Sequence, residues 1–211
     1  MGSRFGIGAY FHFGTEEREV DTVYLGMYPR AVLARIGLYD EELVRNQDDE
    51  LNYRLRKAGG RIVLTPDMRS WYQNRTSVRK LARQFYQYGL WKVRVLQKHP
   101  RQMSARQFVP PTFVAGVLGS ALLAPFWGVA AWLFATATGA YLAACGAAAV
   151  LVARRAGWEL LPGVLLAFVT MHVSWGWGFL RGLVRFAPNW LRAEPPVPRL
   201  DGGAAGSVDR R

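Results

Sequence analysis

The run Asn46-Gln47-Asp48-Asp49-Glu50-Leu51-Asn52-Tyr53-Arg54-Leu55-Arg56-Lys57-Ala58-Gly59-Gly60 sets three successive carboxylates ahead of two leucines four apart and closes on glycine. This spacing predicts a short amphipathic helix with its acids on the first turn. Two uses of those acids are open. As structure, Asp48 is a good N-cap, Asp49 and Glu50 sit well against the positive end of the helix dipole, and Gly59 is a normal stop. As chemistry, a carboxylate held at a helix start has fixed geometry and a stabilised charge, which suits it to accept a proton from a hydroxyl. The two uses are compatible.

The surrounding residues favour the chemical use. Residues 20–30 read as a strand and turn entering a helix, and residues 61–66, Arg-Ile-Val-Leu-Thr-Pro, as a short β-branched strand. Gln47, Asp48, Glu50, Leu51, Arg54, Leu55 and Gly59 fall on the pattern E-D-x-E-L-x-x-R-L-x-x-x-G, with Gln47 in place of the first Glu. Ile36-Gly37-Leu38-Tyr39-Asp40-Glu41-Glu42-Leu43 follows R-x-G-x-F-D-E-x-L, and Gln84 opens a Q-x-x-R-W position in which Gln87 and Tyr88 replace Arg and Trp. Together these motifs resemble the family 2 glycosyltransferases, in particular the membrane-anchored transferases of bacterial exopolysaccharide assembly of the succinoglycan type. The resemblance covers about residues 3 to 110.

The resemblance implies a fold and a set of roles. The fold would be α/β, a partial GT-A-like nucleotide-sugar transferase domain, followed by an all-α transmembrane region. Asp48 would be the catalytic base of an inverting hexosyltransferase-type reaction. Asp49, Glu50, Arg54, Gln84, Gln87 and Tyr88 would serve substrate binding, Arg54 by pairing with one of the carboxylates. The donor would be a nucleotide-sugar and the acceptor a polyprenyl-diphosphate-linked or glycan hydroxyl. Family members carry Mg or Mn on a D-x-D motif in the first half of the domain, and no D-x-D with such a context occurs here. The chain therefore reads as the C-terminal half of such an enzyme, with the metal ligands elsewhere and the missing N-terminal half as a partner. The Gln87 and Tyr88 replacements lean toward single rather than processive addition.

Composition divides the 211 residues between two solvents. Eleven of the 15 acidic residues lie before residue 68, whereas residues 69–106 hold ten basic residues and no acid. Such a block attracts nucleic acid, but no nucleic-acid motif accompanies it. It abuts the first apolar segment instead, where the positive-inside rule and anionic membrane lipids both favour Lys and Arg. Within it Val78, Leu81, Phe85, Tyr88, Trp91 and Val95 recur at helical spacing, with Arg79, Lys80, Arg83, Lys92, Arg94 and Lys98 around them. That pattern fits an amphipathic helix in the headgroup region and equally a helix packed on its own domain.

Residues 107–153 contain no formal charge, room for two spans joined near Pro125-Phe126-Trp127-Gly128, with Arg106 before and Arg154-Arg155 after. A third apolar segment occupies residues 158–186, which would carry Arg181 and Arg185 to the outer side against the charge rule unless it is re-entrant. The expected organisation is thus a transferase portion over 1–76, a basic interfacial helix over 77–106, a transmembrane hairpin over 107–153, a third membrane segment over 158–186, and a disordered tail over 187–211. The expected location is multi-pass in a bacterial inner membrane, with the catalytic portion cytoplasmic.

Other residues carry less. Cys145 is the single cysteine, so no disulfide framework exists, and His12, His99 and His172 are too dispersed to form a ligand set. Gly6-x-Gly8 and Gly14 lack the strand-to-helix setting of a dinucleotide site. A rival to the enzyme is a non-catalytic membrane scaffold or partner subunit that retains a transferase remnant. A small transporter is disfavoured, because its spans would need internal polar residues along a path.

Overall fold

The computed structural model describes residues 16–23, 25–67 and 77–191, and it divides into two compact units. The expectations for residues 1–15 and for most of the tail lie outside the described residues.

The first unit described here covers residues 16–67. Strand β1 (Arg18–Glu19) pairs antiparallel with β2 (Val63–Leu64), and the Val20 N–H extends the pairing to the Ile62 carbonyl at 2.9 Å. Between them lie helix α1 (Arg30–Ile36) and helix α2 (Gln47–Lys57). Leu51 and Leu55, with Ala58 just past the helix end, put one face of α2 into a core with Ile36 of α1 and Ile62 beside β2. Each buried aliphatic side chain of this kind contributes about 1.5–3 kcal/mol.

Both ends of α2 have clear causes. Asp48 is not the N-cap: Asn46 holds that place in the left-handed region, at φ 64°, a conformation asparagine adopts more easily than most residues. Asp48, Asp49 and Glu50 then fall in the first turn, and Arg54, Arg56 and Lys57 in the last, so side-chain charge opposes the helix dipole at both ends. At the far end the Gly59 N–H reaches the Arg56 carbonyl and the Gly60 N–H the Leu55 carbonyl, each at 2.9 Å, with Gly59 at φ 93°. That pair of bonds is a Schellman motif, and the positive φ is why glycine ends the helix.

The α/β expectation takes a reduced form. Among the described residues the only sheet is this two-residue pair, and the described chain is otherwise largely helical. The first strand also falls earlier than residues 20–30, because pairing with β2 is a long-range contact that local residue preference does not set.

The second unit, residues 77–190 of the described chain, is a helical bundle. Helix α3 (Val78–Lys98) is capped by the Ser77 hydroxyl accepting from the Lys80 N–H. A 3-10 turn (Ala105–Phe108) leads into α4 (Val109–Leu123), residues 124–127 turn the chain, and α5 (Gly128–Ala156) runs to a second 3-10 turn (Trp158–Leu160) before α6 (Leu161–Arg185). The start of the expected tail forms a further 3-10 turn (Ala187–Leu191). Two helices, Gly128–Ala156 and Trp158–Arg185, are long and apolar enough to cross a membrane. At fifteen residues α4 is about 22 Å long, short of a hydrocarbon core about 30 Å thick.

Helix α3 packs along α6 through glycine. A Cβ at Gly89 would stand 2.0 Å from the Trp175 carbonyl oxygen, one at Gly178 2.1 Å from the Tyr86 carbonyl oxygen, and one at Gly182 2.6 Å from the Leu90 carbonyl oxygen. The Gln97 amide donates to the Phe186 carbonyl at 2.8 Å. Contacts advance in the same direction along both helices, so α3 and α6 run parallel. The buried ridge is Leu90 and Val93 against Trp175 and Phe179, rotated from the expected stripe, so that Phe85, Tyr88 and Trp91 lie half-buried beside it. The rotation follows from the small residues, which admit the opposing backbone where aromatic side chains would hold it off. Lys92 and Arg94, expected among the outward charges, are buried.

Gly89→Ala is expected to destabilise the bundle by about 1–3 kcal/mol, because the clashing atom is backbone and cannot move aside. Gly139→Ala, with open space around its Cβ, is expected to be neutral or to gain up to about 1 kcal/mol of helix propensity. Denaturation midpoints of the two variants in one detergent check the contrast.

Candidate active site around Asp48

The first turn of α2 is fixed from below by Arg54. Its Nε and Nη2 donate to Glu50 Oε1 and Oε2, both at 2.9 Å, a bidentate pair one helical turn long. Nη2 also reaches the Leu38 carbonyl at 2.7 Å, and Nη1 donates to the Ile36 carbonyl. Glu50 is only 3% exposed. A buried carboxylate tolerates that setting because the planar guanidinium matches both its oxygens.

Gly37 makes room for this clamp. It sits at φ 87°, and a Cβ there would lie 3.0 Å from Arg54 Nη1. The loop following α1 is thereby tied to the middle of α2. Arg54 and Glu50, expected among the substrate-contacting residues, thus hold the helix and loop to each other through these polar atoms.

A second anchor lies one turn after Asp48. Asn52 is fully buried, its amide donating to Thr22 Oγ1 at 2.8 Å and to the Val23 carbonyl at 3.2 Å, while its Oδ1 accepts from the Tyr28 hydroxyl at 2.6 Å. Burial, then Tyr39, then the charge of Asp48 push the Tyr28 phenol up to about 12. Asp48 therefore lies within electrostatic reach of a half-buried phenol. Its own side chain is partly exposed, as is that of Asp49. The result is a carboxylate at the solvent edge of a helix start, within electrostatic reach of Tyr28, on a helix that Asn52 and Arg54 anchor. A carboxylate so placed can accept a proton from a bound hydroxyl.

Gln84, Gln87 and Tyr88 belong to the other unit, each partly buried on α3. The Gln84 amide donates to the Tyr88 hydroxyl at 2.8 Å, and the Tyr88 ring meets Phe85 edge-on at 5.8 Å. Among the described residues no three His, Cys, Asp or Glu side chains gather to hold a metal. The resemblance places the Mg or Mn ligands on the D-x-D motif in the first half of the family's domain. Sequence spacing did not point to Tyr28 or Asn52. The signal available for Asn52 was a polar residue on the apolar side of α2, between Leu51 and Leu55.

Tyr28 yields a pH prediction. Its folded pKa lies above the unfolded value, so its contribution to stability is complete below about pH 10 and is lost as pH rises toward about 12. Unfolding midpoints of the wild type are expected to fall across that window more steeply than those of Tyr28→Phe. A 13C-tyrosine titration should show one resonance near pH 12 that the variant lacks.

Comparison with known proteins finds sequence similarity to proteins of glycan biosynthesis. The chain is 34% identical over 151 residues to the succinoglycan biosynthesis protein ExoA of Rhizobium meliloti, covering 72% of this chain and 44% of that protein. It is 32% identical over 92 residues to a dolichyl N-acetyl-alpha-D-glucosaminyl phosphate 3-beta-D-2,3-diacetamido-2,3-dideoxy-beta-D-glucuronosyltransferase of Methanococcus voltae, covering 43% of this chain and 29% of that enzyme. The chain spans less than half the length of these curated relatives. No family model and no solved structure matches it.

Proposed function

We infer that this chain, a homologue of a succinoglycan biosynthesis protein and of a glycan-building glucuronosyltransferase, carries the catalytic end of a family 2 glycosyltransferase that works at a membrane surface. The observation that carries the reading is the placement of Asp48: on the first turn of α2, partly exposed, and braced by Asn52 and by the Arg54–Glu50 clamp.

In this reading an acceptor hydroxyl sits against Asp48. Its oxygen attacks the anomeric carbon of a nucleotide-sugar, a C–O bond to the acceptor forms, and the C–O bond to the nucleoside diphosphate breaks on the opposite face. The hydroxyl proton passes to Asp48 and the sugar inverts in one displacement. Asp49, in the same helical turn, orients the acceptor, and Tyr28 and Tyr39 supply ring surface and hydroxyls for a sugar; on the helical unit, Gln84, Gln87 and Tyr88 are the residues proposed to bind the diphosphate or acceptor sugar. Positioning of this kind counts, since correct alignment of reacting groups can remove several kcal/mol from a barrier.

The acceptor in this reading is lipid-borne, and the protein is multi-pass in a bacterial inner membrane with its transferase portion cytoplasmic. Support comes from the outward side chains of α4 and α5, where Leu122, Trp132, Leu133 and Leu151 are exposed and apolar. A water-soluble helix turns polar residues outward, so these faces call for a hydrocarbon solvent. The Methanococcus voltae relative also acts on a lipid phosphate, a dolichyl one.

In membranes carrying the complete protein, Asp48→Asn is expected to lower transfer of labelled sugar to lipid by about 10²-fold or more, with membrane insertion unchanged. Transfer at the wild-type rate would remove Asp48 from the mechanism and favour the scaffold reading.

A further inference from the structure

The buried amide of Asn52 has one orientation. Its nitrogen lies 3.2 Å from the Val23 carbonyl, an atom that can only accept, and 2.8 Å from Thr22 Oγ1, so both N–H groups are committed and Oδ1 faces Tyr28. An amide oxygen accepts as well. The one proton of the Tyr28 hydroxyl therefore goes to Asn52, at 2.6 Å, and the direction in which the phenol donates is fixed. Burial, then Tyr39, then the charge of Asp48 hold the phenol in its protonated form up to about pH 12.

What the phenol has left to offer is its lone pairs. Among the described residues Tyr28 makes no other hydrogen bond, its side chain is partly exposed, and beside its oxygen lies Gly26, where a Cβ would stand 2.6 Å from the hydroxyl and 2.8 Å from the ring carbon that bears it. Glycine keeps that approach open. Asp48 lies one turn before Asn52 on α2, and residues four apart share a helix face, so an ionised carboxylate and a phenol oxygen, both acceptors, serve one neighbourhood. A molecule that joins the two must supply two donors. We propose that Tyr28 determines acceptor specificity at this site: its oxygen takes a hydrogen bond from a second free hydroxyl of the acceptor sugar, while Asp48 takes the proton of the attacking one. Sugars substituted at that second position, by an ether, an ester or another sugar, lose the donor and are poor acceptors. The assignment rests on the transferase reading of Asp48 and adds to it a demand on the chemistry of the acceptor.

The test uses membranes carrying the complete protein and their own lipid acceptor, with labelled UDP-glucose, UDP-galactose and GDP-mannose as donor probes. Tyr28→Phe is expected to lower transfer roughly three- to tenfold, the worth of one neutral hydrogen bond, with KM for the nucleotide-sugar unchanged. That variant also leaves Asn52 Oδ1 without its donor, so a second one separates recognition from support. Tyr28→4-aminophenylalanine still donates to Asn52 but turns a second N–H toward the site in place of a lone pair. It should keep the wild-type unfolding midpoint in detergent and transfer no faster than the Phe variant. Wild-type transfer by the amino variant would reduce Tyr28 to a support for Asn52, and a raised KM for the nucleotide-sugar would put the phenol oxygen on the donor; either result overturns the proposal. Asp48→Asn is run beside them. If it loses transfer while both Tyr28 variants keep the wild-type rate, the Tyr28 assignment falls and the enzyme reading stands; wild-type transfer by Asp48→Asn removes both.

Discussion

One guanidinium organises the unit over residues 16–67. Arg54 binds both oxygens of Glu50 and the carbonyls of Ile36 and Leu38, so a single side chain joins the middle of α2 to the loop leaving α1. Removing one partner of a buried pair such as this typically costs about 3–5 kcal/mol, because the other charge is left without compensation. Lysine could not replace it, since an ammonium cannot meet a carboxylate and two diverging carbonyls in one plane. Gly37 belongs to the same device, being the residue that lets the guanidinium lie against the loop. With the loop and helix joined there, the direction of the first turn follows, and with it the place of Asp48.

The helical unit obeys a different constraint. Its outward surface is apolar over much of α4 and α5, so burial of apolar surface from water cannot be what joins its helices if lipid surrounds them. Close backbone approach takes over that task at Gly89, Gly178 and Gly182, and at Gly176, where a Cβ would stand 2.6 Å from the Pro110 carbonyl oxygen. Other glycines of the same spans, such as Gly116, Gly119 and Gly139, have open space around them. Glycine content alone therefore did not identify the packing face.

Much of α2 was legible in advance because its determinants are local. The acids at the start, the basic last turn, the leucine spacing and the terminal glycine all act within a few residues, and the Glu50–Arg54 pair is a one-turn contact. What escaped reading depends on distant partners. Asn46 rather than Asp48 begins the helix because the chain enters through a left-handed residue. Tyr28 joins the site through Asn52, 24 residues away. The face of α3 is chosen by glycines on α6, roughly ninety positions later, and the burial of Lys92 and Arg94 has no local signature. The motif positions Gln84 and Tyr88 were visible as types, but their mutual hydrogen bond was not.

If Asp48 acts as a base because Arg54 sets the helix that carries it, then loosening the clamp without unfolding the protein should harm the chemical step alone. The direct measurement is kcat and KM for the nucleotide-sugar in the complete protein bearing Arg54→Lys, with circular dichroism to verify that α2 persists. A fall in kcat with KM nearly constant is the predicted outcome. Wild-type kcat in a folded Arg54→Lys protein would contradict the account.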